Sequence, residues 1–154
     1  MNAIFAARAL AATLLGAFLA AAPAVSHAQS TAPSAAAKAD EHYRVVFQVS
    51  DADPAKWNLT LNNARNVQVD LGMDNVDVEI VAYGPGLPML KANSPVAQRL
   101  SSAMQQGVTL LACENTMHNT KVERSEIQGG VKFVDAGVVH IMKRQRQGWS
   151  YVRP

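Results

Sequence analysis

The chain reads as a single three-layer α/β/α domain over residues 42–154, built on a mainly parallel sheet, and three observations predict it. Segments rich in β-branched residues alternate with segments of helical periodicity, and the connections between them are short. Two of the helical stripes are also announced by a capping residue followed by proline, at Asp53-Pro54 and Ser94-Pro95.

The elements follow in order. Residues 43–50, Tyr-Arg-Val-Val-Phe-Gln-Val-Ser, form a β-branched and aromatic run and a first strand. Behind Asp53-Pro54, the residues Trp57, Leu61, Ala64, Val67 (or Gln68) and Leu71 share one helical stripe, and Gly72 stands at the C-cap position. Asn75 to Tyr83 is a second strand, and the alternation of Val76, Val78 and Ile80 with Asp77 and Glu79 predicts that one face of its first half meets solvent. Gly84-Pro85-Gly86 ends that strand in a turn, with a short helical turn over Leu87 to Lys91. After Ser94-Pro95, a second stripe of Val96, Leu100, Ala103 and Met104 runs to Gly107.

Val108 to Ala112 is a short apolar run, a buried parallel strand. The polar segment from Glu114 to Gln128 is partly helical, and the capping-box spacing of Thr120 and Glu123 places the helix start at Thr120. Past Gly129-Gly130, Phe133-Val134 makes a small strand. Val138, Ile141, Met142 and Gln145 then mark a last helix closed by Gly148, and Trp149 to Val152 a final strand. Trp57 and Trp149 could each serve the core or an interface, and the strand order is open.

Composition narrows the function. The net charge of +2, with Arg8 in the N-terminal stretch, leaves the body too nearly neutral for a nucleic-acid footprint. The basic residues Lys143, Arg144, Arg146 and Arg153 cluster near the C-terminus and read as a solvated helix face. A single cysteine excludes an intramolecular disulfide and a multi-cysteine zinc site. Gly84-Pro85-Gly86 lacks the lysine and hydroxyl of a phosphate loop, and His42 and His140 have no partner at metal-ligand spacing. No metal and no cofactor is called for.

The first 28 residues read as an address. Met1 to Arg8 carry a positive start, Ala9 to Ala22 are almost wholly apolar, Pro23 breaks the run, and Ser26-His27-Ala28 has the small residues of a cleavage site. The apolar run is shorter than the ~20 residues a bilayer span needs, so the expectation is a signal peptide over 1–28 cut after Ala28. A flexible leader over 29–41 follows, and the product is periplasmic or secreted with no membrane attachment after cleavage.

Cys113 carries the chemical signal. Ligands of parallel sheets gather at the carboxyl ends of the strands, and Cys113-Glu114-Asn115-Thr116-Met117 and Gly84-Pro85-Gly86 both follow strands. Thiolate is the reactive form of cysteine and is favoured by helix N-termini and backbone N–H groups. Asn115, Thr116 and the loop amides could bond a thiolate or persulfide, and His118 could move a proton, while the neighbouring Glu114 works against the thiolate. The competing reading makes Cys113 a small core hydrophobe. An unpaired cysteine in an exported chain is exposed to oxidation, which tilts the balance toward a functional thiol.

The segments Tyr83-Gly84-Pro85-Gly86, Leu111 to Met117, Ala136-Gly137-Val138-Val139 with Gln145, and Gly148 to Pro154 resemble, in that order, the DsrE/DsrF-like (YchN-like) family of small sulfur-relay proteins, particularly its exported single-domain members. The resemblance covers about His42 to Pro154. It implies a five-stranded parallel sheet, a homo-oligomer (trimer or hexamer), and a loop cysteine that carries sulfur as a persulfide to a thiol or persulfide partner. Cys113 is the matching position; Asn115, Thr116, Met117 and His118 would line the site, with Gly84, Pro85 and Gly86 as its facing wall. Any activity is at most that of a sulfurtransferase-type carrier. The relay members work in the cytoplasm, whereas this chain carries an export signal. Two further readings stay open: an oligomeric small-ligand-binding or scaffold module with Cys113 buried, and a one-cysteine redox sensor.

Overall fold

A computed structural model describes residues 42–154, so the signal peptide and leader expected over 1–41 lie outside the described residues. Five strands, β1 (Tyr43–Val49), β2 (Val76–Ala82), β3 (Thr109–Cys113), β4 (Lys132–Val134) and β5 (Ser150–Val152), form one all-parallel sheet in the order β4-β3-β2-β1-β5. Four α-helices alternate with them: α1 (Pro54–Leu71), α2 (Ala97–Gln105), α3 (Glu114–Thr120) and α4 (Gly137–Arg146). The fold class and five strands read from the sequence are those of the structure.

The two faces of the sheet are unequal. The main core packs Val45, Phe47, Ile80, Leu110 and their neighbours against α1, α2, α3 and the segment after β2. On the opposite face the hydrophobic cluster is smaller, Val46, Val81, Leu111 and Ile141 with Tyr83, Val134 and Trp149 packed against them, and among the described residues α4 is the helix that covers it. This division follows from the order of the strands. β1 to β4 march one way across the sheet, and α4 then carries the chain back over the other face to place β5 beyond β1. The reversal falls between β1 and β5, where parallel sheets open a crevice at their carboxyl ends.

Several local expectations are corrected. The helix predicted to start at Thr120 ends there: α3 begins directly after Cys113, and Lys121 in the left-handed region (φ 54°) stops it. The capping box belongs instead to Glu123 and Glu126, around a 3-10 turn over Arg124–Glu126. Ser94 does bond forward, its Oγ accepting from the Val96 amide at 3.4 Å, but that closes a turn and α2 starts only at Ala97. The turn at Gly84 is the start of a 3-10 helix over Gly84–Leu90. A side-chain carbon at Gly86 would lie 2.3 Å from the Val49 carbonyl oxygen, so only glycine lets this segment close against the end of β1.

Glu79, predicted to face solvent, is buried beneath α4. Its oxygens accept from Arg144 at 2.6 and 2.9 Å, and His140 Nε2 stands 2.8 Å away. Arg144 is thus not part of a solvated face; it pairs with Glu79, and its guanidinium lies over the Trp149 ring at 4.5 Å. The hydrogen bonds to Glu79 push the Arg144 pKa above its ordinary value, against the opposing effect of burial. At the stripe position left open between Val67 and Gln68, Gln68 is the buried residue, donating through Nε2 to the Gln106 carbonyl at 2.7 Å. Trp57 belongs to the core, its indole N–H donating to the Asp51 carbonyl at 2.7 Å.

Candidate functional site

Strand register builds the site. Ala82 pairs with Ala112 and Val49 with Ala82, so the next residues, Ser50, Tyr83 and Cys113, form one row across the carboxyl ends of β1, β2 and β3. Cys113 itself pairs with Val134 of β4. The Tyr83 amide still donates to the Val49 carbonyl at 3.1 Å, which carries the ladder one residue past β2. Side chains alternate along a strand. Because Val81 and Leu111 face α4, Tyr83 and Cys113, two residues on, face it as well.

Cys113 is 5% exposed. Its Sγ accepts from the backbone N–H of Gly137, the first residue of α4, at 3.2 Å. The donor therefore comes from a helix start across the sheet and not from the loop after Cys113. The amide that meets the sulfur is thus the first of a ten-residue helix, the end that carries the helix's partial positive charge. Gly137 is also fitted from its other side: a side-chain carbon there would lie 3.1 Å from both Cβ and Cδ1 of Tyr83 and 3.2 Å from Val81 Cγ1.

The remaining expected site residues separate. Gly84 donates its amide to Thr116 Oγ1 at 2.9 Å, which ties the turn Gly84-Pro85-Gly86 to α3 as an adjoining wall. Thr116 is thereby engaged away from the sulfur. The Asn115 amide donates to the Asp135 carbonyl at 3.0 Å, anchoring α3 to the β4–α4 connection, and the Asn115 side chain is exposed. Met117 is buried in the main core on the other face of the sheet. His118 is exposed on α3, and its side chain makes no hydrogen bond to Cys113. The opposing charge of Glu114 is taken up by Arg124, whose guanidinium lies 4.4 Å over the Phe133 ring.

Sequence reasoning missed Tyr83 as a side chain of the site, together with a polar strip beyond it. Tyr151 donates its hydroxyl to Gln48 Oε1 at 2.5 Å, Gln48 Nε2 donates to Ser50 Oγ at 3.0 Å, and Arg153 reaches Asp51 at 3.4 Å. These groups line the β1/β5 end of the row, where the strand order reverses. Burial is the main cause that pushes the Tyr83 hydroxyl above its ordinary pKa, and the nearby Arg153 guanidinium works against it. Counting residues from the strand pairing would have found this row, but pairing is not written in one sequence. Among the described residues no group of three His, Cys, Asp or Glu side chains could hold a metal, and no helix is long and apolar enough to cross a membrane.

The model of the DsrE/DsrF-like family matches residues 18–154. The chain belongs to that family. It is a sulfur-relay-related family, and the resemblance read from the sequence is upheld. Among solved structures, this DsrE-like chain is similar to the protein of unknown function MTH1491 from Methanobacterium thermoautotrophicum, with 38% identity and a TM-score of 0.70 over 73% of this chain and 99% of that one. It shares its fold with the conserved protein of unknown function BT1422 from Bacteroides thetaiotaomicron (14% identity, TM-score 0.61, 75% of this chain and 98% of that one). The ychN protein from E. coli has the same fold (14% identity, TM-score 0.60, 73% of this chain and 99% of that one). No curated protein matches.

Proposed function

We propose that this DsrE-like protein is an exported sulfur carrier, periplasmic or secreted after cleavage near Ala28, that holds sulfane sulfur as a persulfide on Cys113. The observation that carries the reading is the placement of Sγ, at the carboxyl end of a parallel strand and 3.2 Å from the first amide of α4. In loading, the Cys113 thiolate attacks a sulfane sulfur of an inorganic polysulfide. One S–S bond forms as another breaks, and the polysulfide leaves one sulfur shorter with its charge unchanged. In discharge, an acceptor thiolate attacks the outer sulfur, and Cys113 leaves as the thiolate, so no external oxidant or reductant is consumed. The Gly137 N–H steadies the anion on sulfur in both steps. The acceptor is a thiol or persulfide partner protein, and the carrier works as a homo-oligomer, a trimer or hexamer. Exposed Val138, Val139 and Met142 on α4, the only helix among the described residues over its face of the sheet, support a subunit contact there.

A second reading has its own support. Cys113 is buried, as a core residue would be, and the protein would then be an oligomeric small-ligand-binding or scaffold module. Intact-mass measurement of the native mature chain after exposure to polysulfide separates the two. The carrier gains a one-sulfur increment that reductant reverses and Cys113→Ser abolishes. A thiol that stays silent until denaturant is added overturns the carrier reading and leaves the binding module.

A further inference from the structure

Cys113 is enclosed on most sides by identifiable neighbours. The Gly137 amide and the start of α4 lie over it, Val134 of β4 is beside it in register, and Leu111 precedes it on the same face. The remaining lateral neighbour in the row is Tyr83, on β2's extension, packed directly against Gly137. Beyond Tyr83 lie Ser50, Gln48, Tyr151 and Arg153, at the crevice where parallel sheets receive ligands. In the row, Tyr83 stands between those groups and Cys113.

We propose that Tyr83 is a positioning residue that fences Cys113 from the β1/β5 crevice, so that the thiol meets small, chain-like sulfur anions and is denied to bulky electrophiles and disulfides. This inference rests on the carrier reading and adds to it a class of donor and the device that selects it. Register places Tyr83 next to Cys113 in the row, and its Cβ and Cδ1 pack against Gly137, whose amide is the sulfur's hydrogen-bond donor, more tightly than a side-chain carbon there would ordinarily allow. Arg153, at the outer end of the strip, is held there by its pairing with Asp51 at 3.4 Å.

The test compares native reaction rates of Cys113 in the mature chain with iodoacetamide, a small reagent, and with a bulky fluorescein maleimide. Wild type, Tyr83→Ala and Tyr83→Phe are measured side by side, with a urea melt to establish that each is folded. Tyr83→Ala is expected to raise the maleimide-to-iodoacetamide rate ratio by about tenfold or more. Tyr83→Phe, which keeps the ring, is expected to stay within about twofold of wild type. Should Tyr83→Ala fail to fold, Tyr83→Leu, which keeps apolar bulk against Gly137, is used with the same expectation of a raised ratio. A ratio unchanged on loss of the ring overturns the proposal, as does a Tyr83→Phe effect as large as that of Tyr83→Ala. Polysulfide loading, read by mass on the same samples, is scored separately. Failure to load in every variant defeats the carrier reading, while the rate ratio still decides whether Tyr83 fences the thiol.

Discussion

Replacing Glu79 by Gln tests how α4, which brings the Gly137 amide to Cys113, is held to the sheet. Glu79 lies on β2 with its side chain 8% exposed, and both oxygens are occupied, by Arg144 at 2.6 and 2.9 Å and by His140 at 2.8 Å. The substitution keeps the shape but turns one acceptor oxygen into an N–H donor, which must face a donor on Arg144 or turn toward His140. Charge-assisted hydrogen bonds contribute about 1.5–3 kcal/mol each, and breaking one partner of a buried ion pair costs about 3–5 kcal/mol. The Arg144 side chain is 29% exposed, so water recovers part of its loss. The expected destabilisation of Glu79→Gln is therefore about 2–3 kcal/mol. That corresponds to a fall in Tm of about 10 °C for a domain of this size. The assay is urea denaturation of the mature chain, repeated in about 1 M salt, where exposed pairs are screened within about 3 Å. A loss below about 1 kcal/mol, or one that vanishes in salt, would place the pair among surface ion pairs and refute the anchoring role.

Two further outcomes follow from the same geometry. Burial raises the Tyr83 pKa, so the folded state favours the neutral phenol; its contribution to stability is full below the unfolded value of about 10 and is lost as pH rises through the higher folded value. Wild type should therefore lose stability more steeply than Tyr83→Phe above pH of about 10, in urea melts taken across that range, and equal slopes would contradict the burial of the hydroxyl. Gly86→Ala should destabilise by about 3 kcal/mol or more, because its new carbon meets the Val49 carbonyl oxygen at 2.3 Å and backbone must move; a change under about 1 kcal/mol would show that the segment after β2 yields freely.

The alternation of strand and helix was legible because β-branched runs, capping residues and prolines act within a few residues of themselves. Asp53-Pro54 set the start of α1, with Asp53 Oδ1 accepting from the Ala55 amide at 2.8 Å. The failures share another cause. Glu79 looked like the polar half of an alternating strand, and only Arg144 and His140, more than sixty residues away, make its burial tolerable. Thr120 and Glu123 have the spacing of a capping box, but the left-handed Lys121 had already ended the helix. In the site, the position of Cys113 at a strand's carboxyl end was readable, yet its hydrogen-bond donor was not. Gly137 is twenty-four residues on, delivered by a crossover that the pattern does not specify. Tyr83 escaped for the same reason, since membership of the Cys113 row is a property of register.

Burial of Cys113 and a role in sulfur transfer are compatible on simple geometry. An S–S bond is about 2.05 Å long, so the outer sulfur of a persulfide stands that much farther along the open direction than Sγ itself. The donor must approach the enclosed Sγ, whereas an acceptor thiolate need only reach the outer atom. Enclosure by Gly137 and Tyr83 therefore restricts loading more than discharge. On the proposed carrier reading, a small polysulfide anion passes where a protein thiol is excluded. If the chain is exported as proposed, the same asymmetry would shield the unloaded thiol from larger disulfides in an oxidising compartment.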